Sequence, residues 1–278
     1  MDKLNENIFH LYDKWKKGYV RKEKSVKMKL QEFLANREYY TYKPYKESDF
    51  SISEGGDKVD VNIEDFQLTG NFEKLPFPIG KCKKLTIACC FKLKSLEGCP
   101  DEAYDCTIRW CNELKSLKGA PKNVKHDFTC KDNATLESLD GCPKTVGGKC
   151  EISQNMSLTS LIGAPEKVGA FSCKFSVITT LEGAPKNVTG TFNCNNCESL
   201  VSLIGAPKKC KSFSCEYCGE LKSLEGAPKK VTDYFSCLGC YDLESVKDMP
   251  KKMKTLYIND KYMDDIPSDV KYEIILNR

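Results

Sequence analysis

The sequence predicts a stacked repeat solenoid with a parallel β-sheet and mostly irregular return loops. The first observation behind this prediction is a block, Ser/Thr-Leu-x-Gly-Ala/Cys-Pro, that recurs about every 21 to 22 residues. The second is an alternation of apolar residues ahead of each block, and the third is the Gly and Pro that force a turn inside it. The copies, of which the last is degraded, begin at Ser95, Ser116, Ser138, Ser160, Thr180, Ser202, Ser223 and Ser245. Such a period indicates units that bury their apolar faces on one another.

Each unit contains one short strand with inward apolar residues at positions i and i+2. The apolar positions follow L-x-x-L-x-L-x-x-C-x-x-L, so the predicted fold class is a leucine-rich-repeat-like solenoid. The inward pairs are Leu85/Ile87, Cys106/Ile108, Phe128/Cys130, Cys150/Ile152, Phe171/Cys173, Phe192/Cys194, Phe213/Cys215, Phe235/Cys237 and Leu256/Ile258. The Asn/Cys position of the pattern holds Cys90, Cys111, Asn133, Asn155, Ser176, Cys197, Cys218, Cys240 and Lys261. We expect side chains at this position to hydrogen-bond buried backbone groups of the next coil.

Four segments follow from these patterns. Residues 1–49 are predicted to form a basic helical N-terminal domain, and residues 50–80 a β-hairpin and N-terminal cap. Residues 81–261 form a solenoid of about nine coils, and residues 262–278 a C-terminal cap with one short closing strand. Terminal repeats of arrays are usually atypical, as these two caps are.

The N-terminal segment shows helical apolar spacing twice, in residues 4–19 and again from Val26 to Leu34, where Ser25 is the expected N-cap. Both helices are too short to be stable alone. They must pack on each other, on the open N-terminal end of the solenoid, or on a partner. A hairpin is expected around Gly55-Gly56.

Composition predicts a soluble, cytoplasmic protein with free thiols. The chain has 17 cysteines, an odd number, no signal-peptide layout at its start and no apolar run of membrane-spanning length. Residues 1–49 carry a net charge of +4, and the remainder is close to neutral. Three C-x-x-C pairs begin at Cys194, Cys215 and Cys237. Because three residues of strand span about 10 Å, each pair is interpreted as packing thiols rather than zinc ligands.

Catalytic residues are not evident in the sequence. The two histidines, His10 and His126, lie far apart, and no nucleophile is placed for either one. No Gly-rich phosphate loop is present, because the Gly-Ala-Pro turns are structural. We therefore expect no enzymatic activity, no cofactor and no bound metal.

The exposed strand positions vary most between repeats and include several aromatic residues. This is typical of a recognition face for a protein partner, although the solvated side of a sheet is the alternative. The candidate partner-binding residues are Arg109, Trp110, Lys131, Asp132, Gln154, Lys174, Phe175, Asn196, Glu216, Tyr217, Tyr234 and Tyr257.

Two basic features allow contact with nucleic acid or with an acidic partner. The first is the N-terminal helical segment with Lys16, Lys17, Arg21 and Lys22; its alternative is a helical cap with a solvated face. The second is a ridge of lysines directly after the repeat prolines, whose alternative is a solubilising edge. The ridge contains Lys122, Lys144, Lys186, Lys208, Lys229 and Lys251.

The repeat Leu-x-Ser-Leu-x-Gly-Ala-Pro-Lys-x-Val-x-Gly-x-Phe-x-Cys resembles that of leucine-rich-repeat proteins encoded by tailed bacteriophages, as does the segment Leu75-Pro-Phe-Pro-Ile-Gly80. The resemblance covers about residues 59–267 and implies the fold and a viral origin, but no common activity. Our hypothesis is a non-enzymatic module that binds a host or defence protein in the cytoplasm of an infected bacterium, through the exposed sheet face. Nucleic-acid binding and a role in the virion or its assembly are the alternatives. The partner's identity and the oligomeric state stay open.

Overall fold

The computed structural model describes residues 24–277. One α-helix, α1 (Val26–Ala35), comes first, and β1 (Phe50–Ile52) and β2 (Val59–Val61) then pair as an antiparallel hairpin. Short 3₁₀ turns occupy Arg37–Tyr39, Glu47–Asp49 and Asp260–Asp265. No helix within residues 24–277 is both long enough and apolar enough to cross a bilayer.

The rest of the described chain is a parallel-sheet β-solenoid of about ten stacked turns, which confirms the predicted fold class at the level of a repeat solenoid. Its strands are β3 (Asp65–Leu68), β4 (Lys84–Ala88), β5 (Glu102–Ala103), β6 (Asp105–Arg109), β7 (Asn123–Val124), β8 (Phe128–Lys131), β9 (Thr145–Ser153), β10 (Lys167–Ser172), β11 (Asn187–Val188), β12 (Thr191–Asn193), β13 (Lys209–Cys210), β14 (Ser212–Ser214), β15 (Lys230–Val231), β16 (Tyr234–Ser236), β17 (Thr255–Ile258) and β18 (Ile274–Asn277). The main sheet runs β3-β4-β6-β8-β9-β10-β12-β14-β16-β17-β18. The two-residue strands stack in the return arm that precedes each main strand.

Equivalent residues of successive coils lie in register, so the core consists of columns of like side chains. Phe192 pairs with Phe213, and Phe213 with Phe235, and their rings stack at centroid distances of 5.2 and 5.8 Å. All the predicted inward residues are buried. A coil with two inward residues has no core of its own, and stacking removes both from water.

The Asn/Cys position forms a buried polar ladder, but its asparagines and cysteines bond to backbone groups of the preceding coil and not of the next one as predicted. Asn133 Nδ2 donates to the Ile108 carbonyl, and its Oδ1 accepts the Cys111 N–H at 2.9 Å. Cysteine donates in the same direction, as in Cys218 Sγ to the Cys194 carbonyl at 3.3 Å. The direction follows from the turn of the preceding coil. The main strand ends there, and the carbonyls at its end accept from the ladder side chain of the following coil.

The ladder ends differently from the prediction, because Lys261 is exposed instead of buried. Two neighbouring residues replace it. The Tyr262 hydroxyl donates to the Cys240 carbonyl at 2.9 Å, and Asn259 Oδ1 accepts the Gly239 N–H at 2.9 Å. A lysine ammonium cannot be buried here without an anionic partner, so a neutral hydroxyl and amide close the column.

The N-terminal end of the solenoid is covered by α1. Ser25 caps this helix, since its Oγ accepts the Met28 N–H, which confirms the predicted cap. The buried Phe33 ring lies within 5.2 to 6.5 Å of a ring cluster comprising Tyr40, Tyr45, Phe50, Phe66 and Phe77. The helix therefore packs on the open end of the solenoid, one of the three predicted possibilities. The predicted helix in residues 4–19 lies outside the described residues.

Candidate functional site

A column of left-handed residues runs along the edge where the main strands end. One residue per coil, directly before the Asn/Cys ladder, has positive φ. It is glycine only at Gly239, with φ 72°; the other φ values lie between 54° and 58°, at Cys89, Trp110, Asp132, Gln154, Phe175, Asn196 and Tyr217. The left-handed conformation costs a non-glycine residue about 1–2 kcal/mol. In seven coils the turn has this conformation although the residue is not glycine, and each of them places a side chain at this edge.

Backbone hydrogen bonding explains why the turn has this shape. In six of these coils the N–H of the left-handed residue donates to a backbone carbonyl of the following coil, for example Gln154 to Lys174 at 2.9 Å and Asn196 to Glu216 at 2.8 Å. The parallel ladder thus continues past the strand ends into the turn. Each turn is fixed by its neighbour, so the side chains that it carries are held at a regular spacing of about 4.8 Å.

Six of the predicted partner-binding residues belong to this column. They were predicted as exposed strand positions, but the strands end one to three residues earlier, and these residues lie in the turn. The column contains Trp110, Asp132, Gln154, Phe175, Asn196 and Tyr217. A positive φ ends a strand, so these side chains project from the edge of the sheet and not from its face.

A groove of about 410 Å³ lies along the middle of this edge. It is lined by Asp132, Gln154, Met156, Phe175, Ser176, Val177, Asn196, Glu198 and Ser199. Four of these come from the left-handed column, and Met156, Val177 and Glu198 come from a second column two residues further along each coil. Phe175 is 44 % exposed and Met156 is 61 % exposed. We call the two columns together the turn edge.

The second column was missed by the sequence analysis. Aligning the coils on the ladder residue places Phe91, Met156, Val177, Glu198 and Tyr241 at one position, directly after the ladder. Phe91, Met156 and Tyr241 are exposed apolar residues. Large apolar side chains at a position that packing does not use were the available signal.

The remaining predicted residues lie on or beside the strand face. Arg109 stacks its guanidinium on the Trp110 ring at 3.5 Å, while its Nε is buried with no protein partner among the described residues. Lys131 Nζ lies 3.9 Å from Asp132 Oδ2. Lys174 is half-buried and forms no ion pair with a described residue. These three basic residues extend the turn edge toward the face.

Glu216 is the centre of a polar network on the face. Its carboxylate accepts from Ser236 Oγ at 2.6 Å and from Asn195 Nδ2 at 3.2 Å. Tyr234 and Tyr257 lie nearby with their rings 5.8 Å apart and perpendicular. Burial raises the pKa of Tyr234, and the Glu216 and Asp233 carboxylates raise it further. Because Glu216 is engaged by its neighbours, it contributes more to the rigidity of the face than to an open binding site.

The cysteines pack and donate hydrogen bonds. All 17 thiols are free, and all except Cys89 and Cys99 are buried. The two sulfurs of one C-x-x-C pair serve different coils: Cys194 Sγ donates to the Ser214 carbonyl at 3.4 Å, and Cys197 Sγ to the Cys173 carbonyl at 3.2 Å. Burial raises the pKa of Cys82 and of Cys210 to about 12. Cys82 and Cys210 are therefore protonated at neutral pH, a state in which a thiol is a poor nucleophile.

His126 lies beside two carboxylates, those of Asp105 and Asp127, and in residues 24–277 these form one group whose ligand atoms are within 4.8 Å of one another. His126 Nδ1 is 2.9 Å from Asp105 Oδ1, which also accepts the Asp127 N–H. Asp127 Oδ1 in turn accepts the Lys149 N–H, as Asp60 Oδ1 accepts that of Lys81. The carboxylates therefore cap a turn between coils, which is a structural task.

The structure describes one of the two basic features that were predicted to contact nucleic acid, the lysine ridge, but not the other. Lys16, Lys17, Arg21 and Lys22 lie outside the described residues. In the lysine ridge, Lys122 pairs with Asp101 at 2.8 Å and Lys251 with Asp269 at 2.9 Å. Lys186 Nζ donates to the Gly205 carbonyl. The other three ridge lysines, Lys144, Lys208 and Lys229, are exposed and form no ion pair with a described residue.

Comparisons with known proteins add no relative. No family model matches the chain, and neither a curated protein nor a solved structure matches it.

Proposed function

We propose that this chain is a non-enzymatic protein-binding solenoid that holds its partner along the turn edge. The observation that carries the proposal is the groove of about 410 Å³, which four left-handed residues line. Strained backbone that the surrounding structure holds in place is concentrated at functional sites in proteins. Here the strain recurs in seven coils and places exposed side chains in one line.

The lining of the groove defines the partner's chemistry. Met156, Phe175 and Val177 supply an apolar lining and Glu198 supplies negative charge, while the Asp132 carboxylate is paired with Lys131 outside the groove; no basic residue lines the groove. The complementary segment carries a large apolar side chain flanked by Lys or Arg. Apolar anchors in a pocket contribute most of the binding energy in such contacts, and charged rims contribute to partner choice and association rate.

The edge extends beyond the groove in both directions. Trp110 lies one coil before Asp132, and Tyr217 one coil after Asn196, and both rings are exposed. At about 4.8 Å per coil, the six coils from Trp110 to Tyr217 span about 24 Å. This length suits an extended or helical segment of a folded partner better than a small molecule.

The biological setting of the proposal comes from the repeat sequence. Its likeness to bacteriophage repeat proteins supports a viral protein that acts in the bacterial cytoplasm on a host or defence protein. A role in the virion or its assembly is the alternative, and it predicts that the chain copurifies with particles. The nucleic-acid alternative requires a different surface, which the turn edge does not provide.

The experiment is affinity purification from bacterial lysate, with and without nuclease treatment, with mass spectrometry as the readout. The full chain is compared with a groove variant, Met156→Ala/Phe175→Ala/Val177→Ala. The control variant, Ile162→Ala/Val201→Ala/Ile204→Ala, removes three exposed apolar side chains from the return loops. Both variants leave the buried columns intact, which circular dichroism and urea unfolding verify.

We expect one protein in stoichiometric amount with the full chain and the control variant, and its loss with the groove variant. For that protein, Glu198→Lys is expected to weaken binding at least tenfold, because it places a positive charge against a basic segment. Equal capture by the groove variant and the full chain would contradict the proposal. Capture that disappears with nuclease treatment would favour the nucleic-acid alternative.

A further inference from the structure

The last coils carry an unusual concentration of lysine on the return arm, at the opposite ends of the main strands from the turn edge. Residues 207–212, 228–233, 250–255 and 267–273 contain nine lysines and three acidic residues, a local charge of +6. The chain as a whole has a net charge of only +4. The lysines are Lys208, Lys209, Lys211, Lys229, Lys230, Lys251, Lys252, Lys254 and Lys271.

Four of these lysines form two in-register pairs, which we align as one column because Lys209, Lys230 and Lys252 each stand two residues after a repeat proline. Lys209 and Lys230 are direct partners in the pairing of β13 with β15, and a parallel bridge joins Lys252 to Lys271. All four are exposed, as are Lys208 and Lys229 in the column beside them. Like charges directly opposite one another in a sheet are destabilising. The fold therefore holds these positive charges together against their repulsion.

Acidic neighbours do not neutralise this column. Of the nine lysines, only Lys251 forms an ion pair with a residue in the described part of the chain. The first coils are different, because lysines there are paired at 4.0 Å or less: Lys94 with Glu73, Lys115 with Glu137, Lys118 with Asp140 and Lys122 with Asp101. Ion pairs thus neutralise these lysine charges in the first coils, whereas most of the lysine charges in the last coils have no such partner.

We infer that this lysine column binds the phosphate backbone of nucleic acid, without regard to sequence. The four in-register lysines extend over about 14 Å, the rise of about four base pairs. Lysine is a point charge that suits phosphate, and no aromatic residue interrupts the run Lys209, Lys230, Lys252 and Lys271 to stack on bases. A regular row of ammonium groups matches a regular row of phosphates, whereas an acidic protein surface has no such repeat. The inference is independent of the proposed partner on the turn edge.

The test is fluorescence anisotropy with a labelled 20-base-pair duplex and a labelled oligo-dT of the same length, from 25 to 300 mM NaCl. The full chain is compared with Lys209→Gln/Lys230→Gln/Lys252→Gln/Lys271→Gln. The matched control, Lys94→Gln/Lys115→Gln/Lys118→Gln/Lys122→Gln, removes the same total charge from ion-paired positions. Unlabelled polyglutamate serves as a competitor, and urea midpoints verify that each variant is folded.

We expect the full chain and the control to bind with an affinity that falls steeply with salt. The column variant is expected to lose at least tenfold in affinity at 50 mM NaCl, with a salt slope that is shallower by about 3 to 4 on duplex DNA. Its urea midpoint is expected at or above that of the full chain, because like-charge repulsion is removed. Equal losses in the column and control variants, binding that is absent at 25 mM NaCl, or displacement by polyglutamate as efficient as by DNA would overturn the inference.

Discussion

The ring of Tyr217 occupies the space that a side chain on residue 239, one coil later, would need. A Cβ built on Gly239 would overlap Cδ1 and Cε1 of that ring, and Gly239 has φ 72°. The one glycine in the left-handed column is therefore the place where the ring of the preceding coil lies flat over the turn. Tyr217 is therefore the last side chain of the left-handed column, and Gly239 continues the column without one.

Gly239→Ala is expected to destabilise the protein by about 1–3 kcal/mol, through left-handed strain and overlap with the Tyr217 ring. In a Tyr217→Ala background the overlap is gone, and the same substitution is expected to cost about 1 kcal/mol less. Urea unfolding of the four proteins in this double-mutant cycle measures the difference. An equal cost in both backgrounds would show that the ring does not rest on residue 239.

Ser176→Asn is expected to stabilise the solenoid by about 1 kcal/mol. Ser176 Oγ is buried in the ladder with no protein partner among the described residues. In the coil before it, Asn155 reaches both the Asn133 N–H and the Cys130 carbonyl at 3.0 Å. An asparagine at residue 176 would make the equivalent pair of bonds, which a serine is too short to make.

The matched controls for this prediction are Ser176→Ala and Asn155→Ala. Ser176→Ala is expected to leave the urea midpoint unchanged or slightly raised, since a buried hydroxyl without a partner is lost. Asn155→Ala is expected to lower the free energy of unfolding by about 1–3 kcal/mol, because two backbone groups lose their partners. A Ser176→Ala variant as unstable as Asn155→Ala would mean that Ser176 is already satisfied.

Thiol labelling is expected to separate the cysteines sharply. In the native protein at pH 7.5, a water-soluble maleimide should modify at most Cys89 and Cys99, the two that are partly exposed. In urea all 17 should react. Mass spectrometry of the labelled peptides checks this, and rapid native modification of Cys197 or Cys240 would contradict the buried ladder.

Alkaline pH is expected to destabilise the protein steeply. A thiol in the unfolded chain has a pKa near 8.5, whereas burial raises the pKa of Cys82 and of Cys210 to about 12. The native state thus retains protons that the unfolded state loses. The stability that these thiols contribute is complete below about pH 8.5 and is lost as the pH rises from there toward 12.

In this window, each such thiol lowers the free energy of unfolding by about 1.4 kcal/mol for each unit of rising pH. Urea midpoints measured between pH 7 and pH 10 are expected to be level at first and then to fall. Converted to free energies of unfolding, the fall for Cys82→Ala/Cys210→Ala should be smaller than that of the full chain by about 3 kcal/mol per pH unit at the alkaline end. A profile that is level to pH 10 would show that the buried thiols ionise as they do in water.

The sequence alone was sufficient for the strands, because inward pairs such as Phe213 and Cys215 show a period of two that only a strand satisfies. It was sufficient for the closing strand β18 and for the Ser25 cap for similar local reasons. It was not sufficient for the left-handed turn. After each inward pair the ladder residue comes three positions later, and the sequence alone does not show whether Trp110 and Phe175 lie on the strand or in a turn.

A signal for the turn was nevertheless present. The aligned column contains Asp132, Asn196 and Gly239, and these three residue types adopt positive φ most readily. Which lysines form ion pairs could not be predicted, because this depends on the residue that occupies the neighbouring position in the adjacent coil. Lys122 meets Asp101, while Lys229 meets Lys208, and single repeats do not distinguish the two.

The direction of the buried ladder has a consequence for how the chain is made. Asn133 satisfies backbone groups of the coil before it, and Asn155 does the same for the coil of Asn133. During synthesis from the N-terminus, the newest coil therefore stays incomplete until its successor leaves the ribosome. The ladder itself is closed only when the Tyr262 hydroxyl reaches the Cys240 carbonyl.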